Sequence, residues 1–182
     1  SRSGGAKESE PYRLYVAHIL RTEVDSIMNI RSHPQVIIMG DFNDYPTNQS
    51  ILKILKAEAP PVKTNDLAST TDSANASTVT PSSLKLYHLL ARKAKSKNFG
   101  SYKFRGEWGL LDHLIVSGTL LNQSNHFFTS EEKANVCLLP FLLKDDEKYG
   151  DKEPFRTYKG MKYQGGISDH LPIYTDFELI LH

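Results

Sequence analysis

Three short stretches set acidic, amide and imidazole groups against apolar sequence: Asp41, Asn43 and Asp44 in "IIMGDFND", Asp112 and His113 in "LLDHLIVS", and Ser168, Asp169 and His170 in "GGISDHLP". Hydrolysis of a phosphoester asks for such groups. It needs oxygen ligands for a hard divalent cation, a group that positions or deprotonates water, and donors for the charge that builds on phosphorus. Each stretch also has a plainer reading. Asp and Asn after a strand commonly close turns through their side chains, and Ser-Asp-His before Leu-Pro suits a turn with a surface histidine. Asp112 fits the plain reading least, because a carboxylate inside an apolar run wants a cation or an N–H partner. His113, its neighbour on a strand, is expected to point to the opposite face and away from any site.

The elements that must position these groups follow from periodicity. Tyr12, Tyr15, Val16, Ile19, Leu20, Val24, Ile27 and Ile30 recur three or four apart, with Arg13, Arg21 and Asp25 mostly between them. This pattern predicts an amphipathic helix over 10–31 with Pro11 in its first turn. After Pro34, "QVIIM" reads as a strand covered on both faces, and residues 40–46 as the loop at its tip. "QSILKILKAE" predicts a second helix ended by Pro60-Pro61, and "LKLYHLLARKA" a third, short one. The Ser, Thr, Asn and Ala-rich stretch 64–83 reads as a long surface loop. "SYKFR" alternates, placing Tyr102 and Phe104 inward and Lys103 and Arg105 outward. "LLDHLIVS" is a strong strand, residues 127–144 are ambiguous, and "KDDEKYGDKE" reads as a solvated turn. Gly165 and Gly166 permit a tight loop before Ser168, and Ile173, Phe177, Leu179 and Leu181 mark a closing edge or core strand. Strands outnumber credible crossover helices, so the class expected is mixed α/β (α+β) with much antiparallel pairing.

A chain of 182 residues, 39% of them hydrophobic, can bury one sizeable core, and two domains are not expected. Net charge is +1, from 22 basic and 21 acidic residues, so a nucleic acid is allowed but not indicated by overall charge. Cys137 is the only cysteine, which excludes intrachain disulfides and thiolate-rich metal centres. No apolar run reaches the roughly 18 residues of a membrane span. "SRSGG" opens the sequence without a methionine; a leader or longer upstream segment is expected to have preceded it, and the compartment stays undetermined. Met28, Met39 and Met161 read as packing residues. His18, His33, His88, His126 and His182 have no ligand partners at zinc spacing. Lys93, Lys95, Lys97, Lys103 and Arg105, beside Tyr102 and Trp108, make a basic stretch that could track a polyanion or simply face solvent.

"GDFND", "WGLLDHLIVS" and "GGISDHLP", in that order, resemble the endonuclease/exonuclease/phosphatase family of metal-dependent phosphoesterases. The resemblance covers most of the chain. It implies a DNase I-like four-layer sandwich, two mixed β-sheets flanked by helices. It also implies Mg²⁺, with Mn²⁺ as the alternative ion, and hydrolysis of a phosphoester, a phosphodiester above all, by in-line attack of activated water. Residue by residue, Asp41 corresponds to the aspartate that orients or activates water, and Asn43 to the amide that touches the phosphate and can approach the metal. Asp112 corresponds to the carboxylate that holds the active-site histidine, Asp169 to a metal-facing aspartate, and His170 to the histidine that contacts or protonates the scissile phosphate. Which of Asp41 and His170 takes the water's proton stays open. The metal set implied is Asp169, Asp41 and Asn43, and the substrate set Asn43, Lys103, Arg105 and Trp108.

The family's first-half motifs, including the glutamate that is its main metal ligand, have no counterpart here. Residues 1–182 are therefore expected to be the C-terminal portion of one such domain, with "SRSGG" continuing the last strand of the half that precedes it. Too few fixed oxygens remain for tight Mg²⁺, so this piece alone is expected to bind the ion weakly and to be inactive. One sheet should expose apolar surface that the missing half, as partner, would cover, or that self-association would bury. The alternative function is a catalytically inactive binding module that keeps the fold. Substrate choice is expected to lie in residues 64–83 and 93–108.

Overall fold

The computed structural model describes residues 4–62 and 81–181; of the loop expected at 64–83, residues 64–80 lie outside them. Helix α1 (Glu10–Ile30) has Pro11 in its first turn. It leads into β1 (Ile37–Asp41), a π-helical segment at Ser50–Leu55 and β2 (Ala57–Glu58). β3 (Leu86–His88) follows, then a hairpin of β4 (Tyr102–Phe104) and β5 (Glu107–Gly109), and the long β6 (Asp112–Ser117). The remainder is short strands: β7 (Phe127–Phe128), β8 (Ala134–Val136), β9 (Leu143–Asp145), β10 (Lys152–Pro154), β11 (Tyr158–Lys159), β12 (Lys162–Tyr163), β13 (Ile173–Thr175) and β14 (Glu178–Leu179). The mixed α/β class holds, with several small sheets and few helices. Only the β2–β3 ladder is parallel among the described strands.

The central sheet runs β1-β6-β3-β2. Side-chain alternation sorts its central strands into two cores. Leu86 and Ile115 pack toward α1 with Ala17, Val24, Met28, Ile51 and Leu55. Tyr87, Leu114 and Val116 face the other way, onto Leu120, Ala134, Val136 and Leu171. By the same parity Asp112 stands on the second face and His113 on the first, as strand geometry predicted.

Several expectations fail for tertiary reasons. The predicted third helix is instead β3 followed by turns, because Leu86–His88 completes the sheet between β6 and β2 and its ladder outweighs a local helical pattern. The second helix is reduced to the six residues of the π-helical segment. α1 buries the face carrying Arg13, Ala17, Val24 and Met28, and leaves Tyr12, Tyr15, Val16 and Ile19 exposed. β1 is not covered on both faces: it ends the sheet, and Ile37 and Met39 are 45% and 58% exposed. β4 inverts its predicted faces, with Lys103 3% exposed and Phe104 56%. "KDDEKYGDKE" is a hairpin connection between β9 and β10 rather than a wholly solvated turn, since Asp146 is buried within it. Leu179 and Leu181 are exposed, so the chain closes on an edge.

Candidate active site

The adjacent ends of β1 and β6 make the site. Their antiparallel register puts Asp41 directly opposite Asp112, and Phe42 N–H to the Leu111 carbonyl (2.9 Å) extends the ladder past them. Like charges directly opposite each other on two strands repel, so this pair requires compensation. Three groups provide it. Asp41 accepts hydrogen bonds from the backbone N–H of Asn43 (2.7 Å) and from its side-chain amide (2.8 Å); Asn43 reaches them by a left-handed backbone, φ 53°, which asparagine tolerates better than most residues. Asp112 Oδ2 accepts from Ser101 Oγ (2.5 Å) and from His170 Nδ1 (2.7 Å). Both bonds fall on Oδ2, leaving Oδ1 without a hydrogen bond from the described residues.

His170 is delivered from far along the chain by backbone pairing. Tyr102 bridges it in antiparallel fashion, Leu171 N–H donates to the Ser101 carbonyl (2.7 Å), and Ser168 Oγ accepts from the His170 N–H (3.1 Å). A carboxylate only accepts, so Nδ1 carries the proton and Nε2 is the nitrogen left for other partners. Burial lowers the pKa of His170, but the bond to Asp112 and the charges of Asp112, Asp41 and Asp169 outweigh it, and the net shift is upward. Ligand atoms of Asp41, Asp112 and His170 lie within 4.8 Å of one another. Two hard oxygens beside one imidazole suit a divalent cation and would relieve the carboxylate repulsion. Asp169 stands outside that trio, exposed, in a cleft with Thr157 and Tyr158.

Asp44, the third polar group of the first stretch, turns inward. Its Oδ1 faces Arg13 Nε at 2.9 Å, both side chains buried, and its Oδ2 accepts from Ser50 Oγ (2.7 Å). It anchors the loop to α1 instead of serving the site. Lys103 is likewise engaged: Nζ donates to the carbonyls of Gly150 (2.9 Å) and Lys152 (3.0 Å) and pairs with Asp146 (3.2 Å). Trp108, opposite Lys103 in the β4–β5 register, packs half-buried against the larger core. Arg105 sits at the hairpin turn.

Ser101 and Arg156 belong to the site's surroundings and escaped the sequence reading, which named their neighbour Tyr102 only as an aromatic beside the basic stretch. Ser101 carries no local signal. A serine just before a strand that pairs with the histidine motif becomes visible only once that pairing is known. His88, read from the sequence as a histidine without ligand partners, is fully buried with His113. Leu90 N–H donates to His88 Nδ1 (3.1 Å), so His88 carries its proton on Nε2 and gives it to His113 Nδ1 (2.5 Å); His113 Nε2 in turn donates to the Asp44 carbonyl (2.8 Å). This file of neutral rings ties β3 to the Asp41–Asp44 loop. Burial pushes both pKa values down, in His88 with help from His113. For a base whose folded value is depressed, stability is present above the ordinary histidine range and is lost as the pH falls through it toward the folded value. His88→Leu strands the Leu90 N–H and His113 Nδ1; we expect a loss of about 2–3 kcal/mol in urea melts at neutral pH, with His88→Gln recovering part of it.

A family model described as Endonuclease/Exonuclease/phosphatase family matches residues 1–179. Comparison with curated proteins gave no match, and neither did comparison with solved structures.

Proposed function

Since the chain belongs to the endonuclease/exonuclease/phosphatase family, whose general chemistry is phosphoester hydrolysis, we propose that it carries the histidine side of a metal-dependent phosphodiesterase site. The observation that supports this most is the hydrogen-bonded Asp112–His170 pair with Asp41 directly across the strands. A surface turn has no use for a carboxylate that braces an imidazole, whereas hydrolysis needs a fixed proton-carrying group beside a site for positive charge.

In this reading Asp112 holds the ring so that Nε2 faces the scissile phosphate. His170 then stabilises that phosphate or returns a proton to the leaving oxygen. Asp41 orients the attacking water or takes its proton, and the Asn43 amide steadies a phosphate oxygen. Asp41 and Asn43 would hold Mg²⁺ or Mn²⁺ beside Asp112, which offers a ligand atom within 4.8 Å of one from Asp41, and Asp169, exposed outside that group, would join them only by turning toward the ion. When bound, the ion supplies Lewis-acid stabilisation of the phosphate's developing charge. Arg105 is the substrate-facing member of the basic stretch, while Lys103 and Trp108 shape the wall behind it.

Few oxygens are fixed here for an octahedral ion, which supports weak metal binding by residues 1–182 alone. The apolar surfaces left open, Ile37 and Met39 on β1 and Tyr12, Tyr15, Val16 and Ile19 on α1, suit the remainder of such a domain as a partner. A cavity of about 750 Å³ lies between α1 and the Asp41–Asn43 tip, where that remainder would add ligands.

The test is a hydrolysis panel with Mg²⁺ or Mn²⁺ on the longest natural protein containing this chain. It spans a simple phosphodiester, a phosphomonoester, DNA, RNA and phosphoinositides. We expect phosphodiester cleavage that falls by about 10²–10⁴-fold in His170→Ala. Silence across the panel from folded protein would favour the inactive binding module.

A further inference from the structure

Three rings stand in file leading out of the site. Tyr102 packs on His170 with ring centroids 4.9 Å apart, and Phe104, two residues along the same face of β4, stacks on Tyr102 at 6.4 Å with the planes 11° apart. A guanidinium accompanies each of the outer two: Arg156 lies 5.2 Å from the Tyr102 centroid and Arg105 5.2 Å from that of Phe104. Beyond Phe104 the surface dips into a cleft of about 310 Å³ lined by Phe104, Arg105, Lys148, Tyr149, Arg156 and Lys159.

The charge of this cleft is positive. Its two acidic residues already have partners, Asp146 with Lys103 and Glu153 with Lys144 and Lys159. Arg105, Lys148 and Arg156 make no ion pair among the described residues. The cleft is also a supported structure. Buried Lys103 binds the carbonyls of Gly150 and Lys152 and so clamps the β9–β10 connection against β4. Arg156 donates to the Lys103 carbonyl. Gly106 has no side chain because the Tyr149 Cβ would stand 2.8 Å from one. Within this scaffold Phe104 remains 56% exposed, with Tyr102 stacked beside its ring and the mobile-ended guanidinium of Arg105, which carries no ion pair among the described residues, as the group a base would displace from it.

Resting on the phosphoesterase reading, we propose that the strip from Tyr102 through Phe104 to the Arg105–Lys148 cleft binds the nucleotides next to the scissile phosphate of a single-stranded nucleic acid. Successive bases stack on exposed aromatic rings while neighbouring cations follow the backbone, and such contacts tolerate any base because each has a π-face. An inositol or sugar phosphate would meet the cations but offers no flat face to Phe104. A duplex hides its base faces within its own stack. The overall charge of +1 does not oppose this, because the attraction is local.

Fluorescence anisotropy with a short single-stranded oligothymidylate, an abasic oligomer of equal length and a duplex tests the assignment. We expect the oligothymidylate to bind about 10-fold more tightly than the abasic oligomer, and Phe104→Ala to erase that difference while leaving abasic binding unchanged. Phe104→Trp keeps the stacking face and should retain the preference. Arg105→Ala should weaken both single strands and lower the slope of log affinity against log salt by about 1. Equal binding of the two single strands, indifference to Phe104→Ala in a protein with unchanged circular dichroism, or a preference for the duplex overturns the proposal. Hydrolysis of methyl p-nitrophenyl phosphate separates it from the reading beneath it. That ester is too small to reach the strip, so its cleavage should survive Phe104→Ala. Assayed with Mg²⁺ or Mn²⁺ on the longest natural protein containing this chain, its cleavage alongside failed oligonucleotide binding rejects the strip alone, and absent cleavage by that protein rejects the phosphoesterase.

Discussion

In the proposed phosphodiesterase, Asp112→Asn is expected to lower hydrolysis by about 10–100-fold while shifting the melting temperature by only a few degrees. Asparagine preserves the shape of the side chain and one carbonyl oxygen, so the Ser101 hydroxyl still has an acceptor (2.5 Å in the native pair). What disappears is the negative charge that favours a second proton on His170; the amide oxygen in the Oδ2 position can still accept from Nδ1. The raised pKa of His170 survives its burial only because of that bond and the neighbouring carboxylate charges; without Asp112 the desolvation of the ring pulls the value down. An NMR titration of the His170 ring reads this directly, with no turnover needed. The linkage follows the same sign. A histidine whose folded pKa is raised contributes stability that is fully present below its unfolded value and is lost as the pH rises through the folded one. Asp112→Asn should therefore destabilise more at mildly acidic than at alkaline pH. Equal losses of stability and activity, or an unmoved titration curve, would reduce Asp112 to a structural residue.

Asp44→Ala has the larger effect on folding. Arg13 and Asp44 face each other with side chains 8% and 2% exposed, and removing the carboxylate leaves a buried guanidinium without its counter-charge. Breaking such a pair costs about 3–5 kcal/mol, which for a chain of this size lowers the melting temperature by about 10 °C. Arg13 keeps its bonds to Ser9 Oγ (2.5 Å) and to the Ala6 carbonyl (2.8 Å), which soften the loss without supplying a charge. Thermal melts check the value. The double variant Arg13→Met, Asp44→Leu should recover more than half of it, because apolar groups of similar volume satisfy a buried site that one lone ion cannot. A drop under about 1 kcal/mol in Asp44→Ala would mean that the pair is hydrated and that the loop stands without it.

The residues proposed to carry the chemistry stood out in the sequence because chemistry is carried by residue type and short spacing. An apolar run that ends in Gly-Asp-Phe-Asn announces a strand delivering polar groups at its tip, and strand parity alone turns His113 away from Asp112. Helix α1 and strands β1, β4 and β6 follow from the same local rules, as does the family resemblance. What local sequence could not decide was which partners meet. α1 carries apolar residues around most of its circumference, so periodicity could not choose the buried face, and Arg13 went inward because Asp44 waited there. Lys103 reads as a surface lysine until three oxygens of the β9–β10 connection close around its ammonium group. His88 and His113 stand on separate strands, and the sheet order β1-β6-β3-β2 alone makes them neighbours. The convergence of Asp41, Asp112 and His170 likewise depends on two strand pairings, β1 with β6 and Tyr102 with His170. A side chain's identity states what it can do. Its burial and partners come from segments distant in the chain, whose approach is set by the sum of all the packing and leaves no mark at the residue itself.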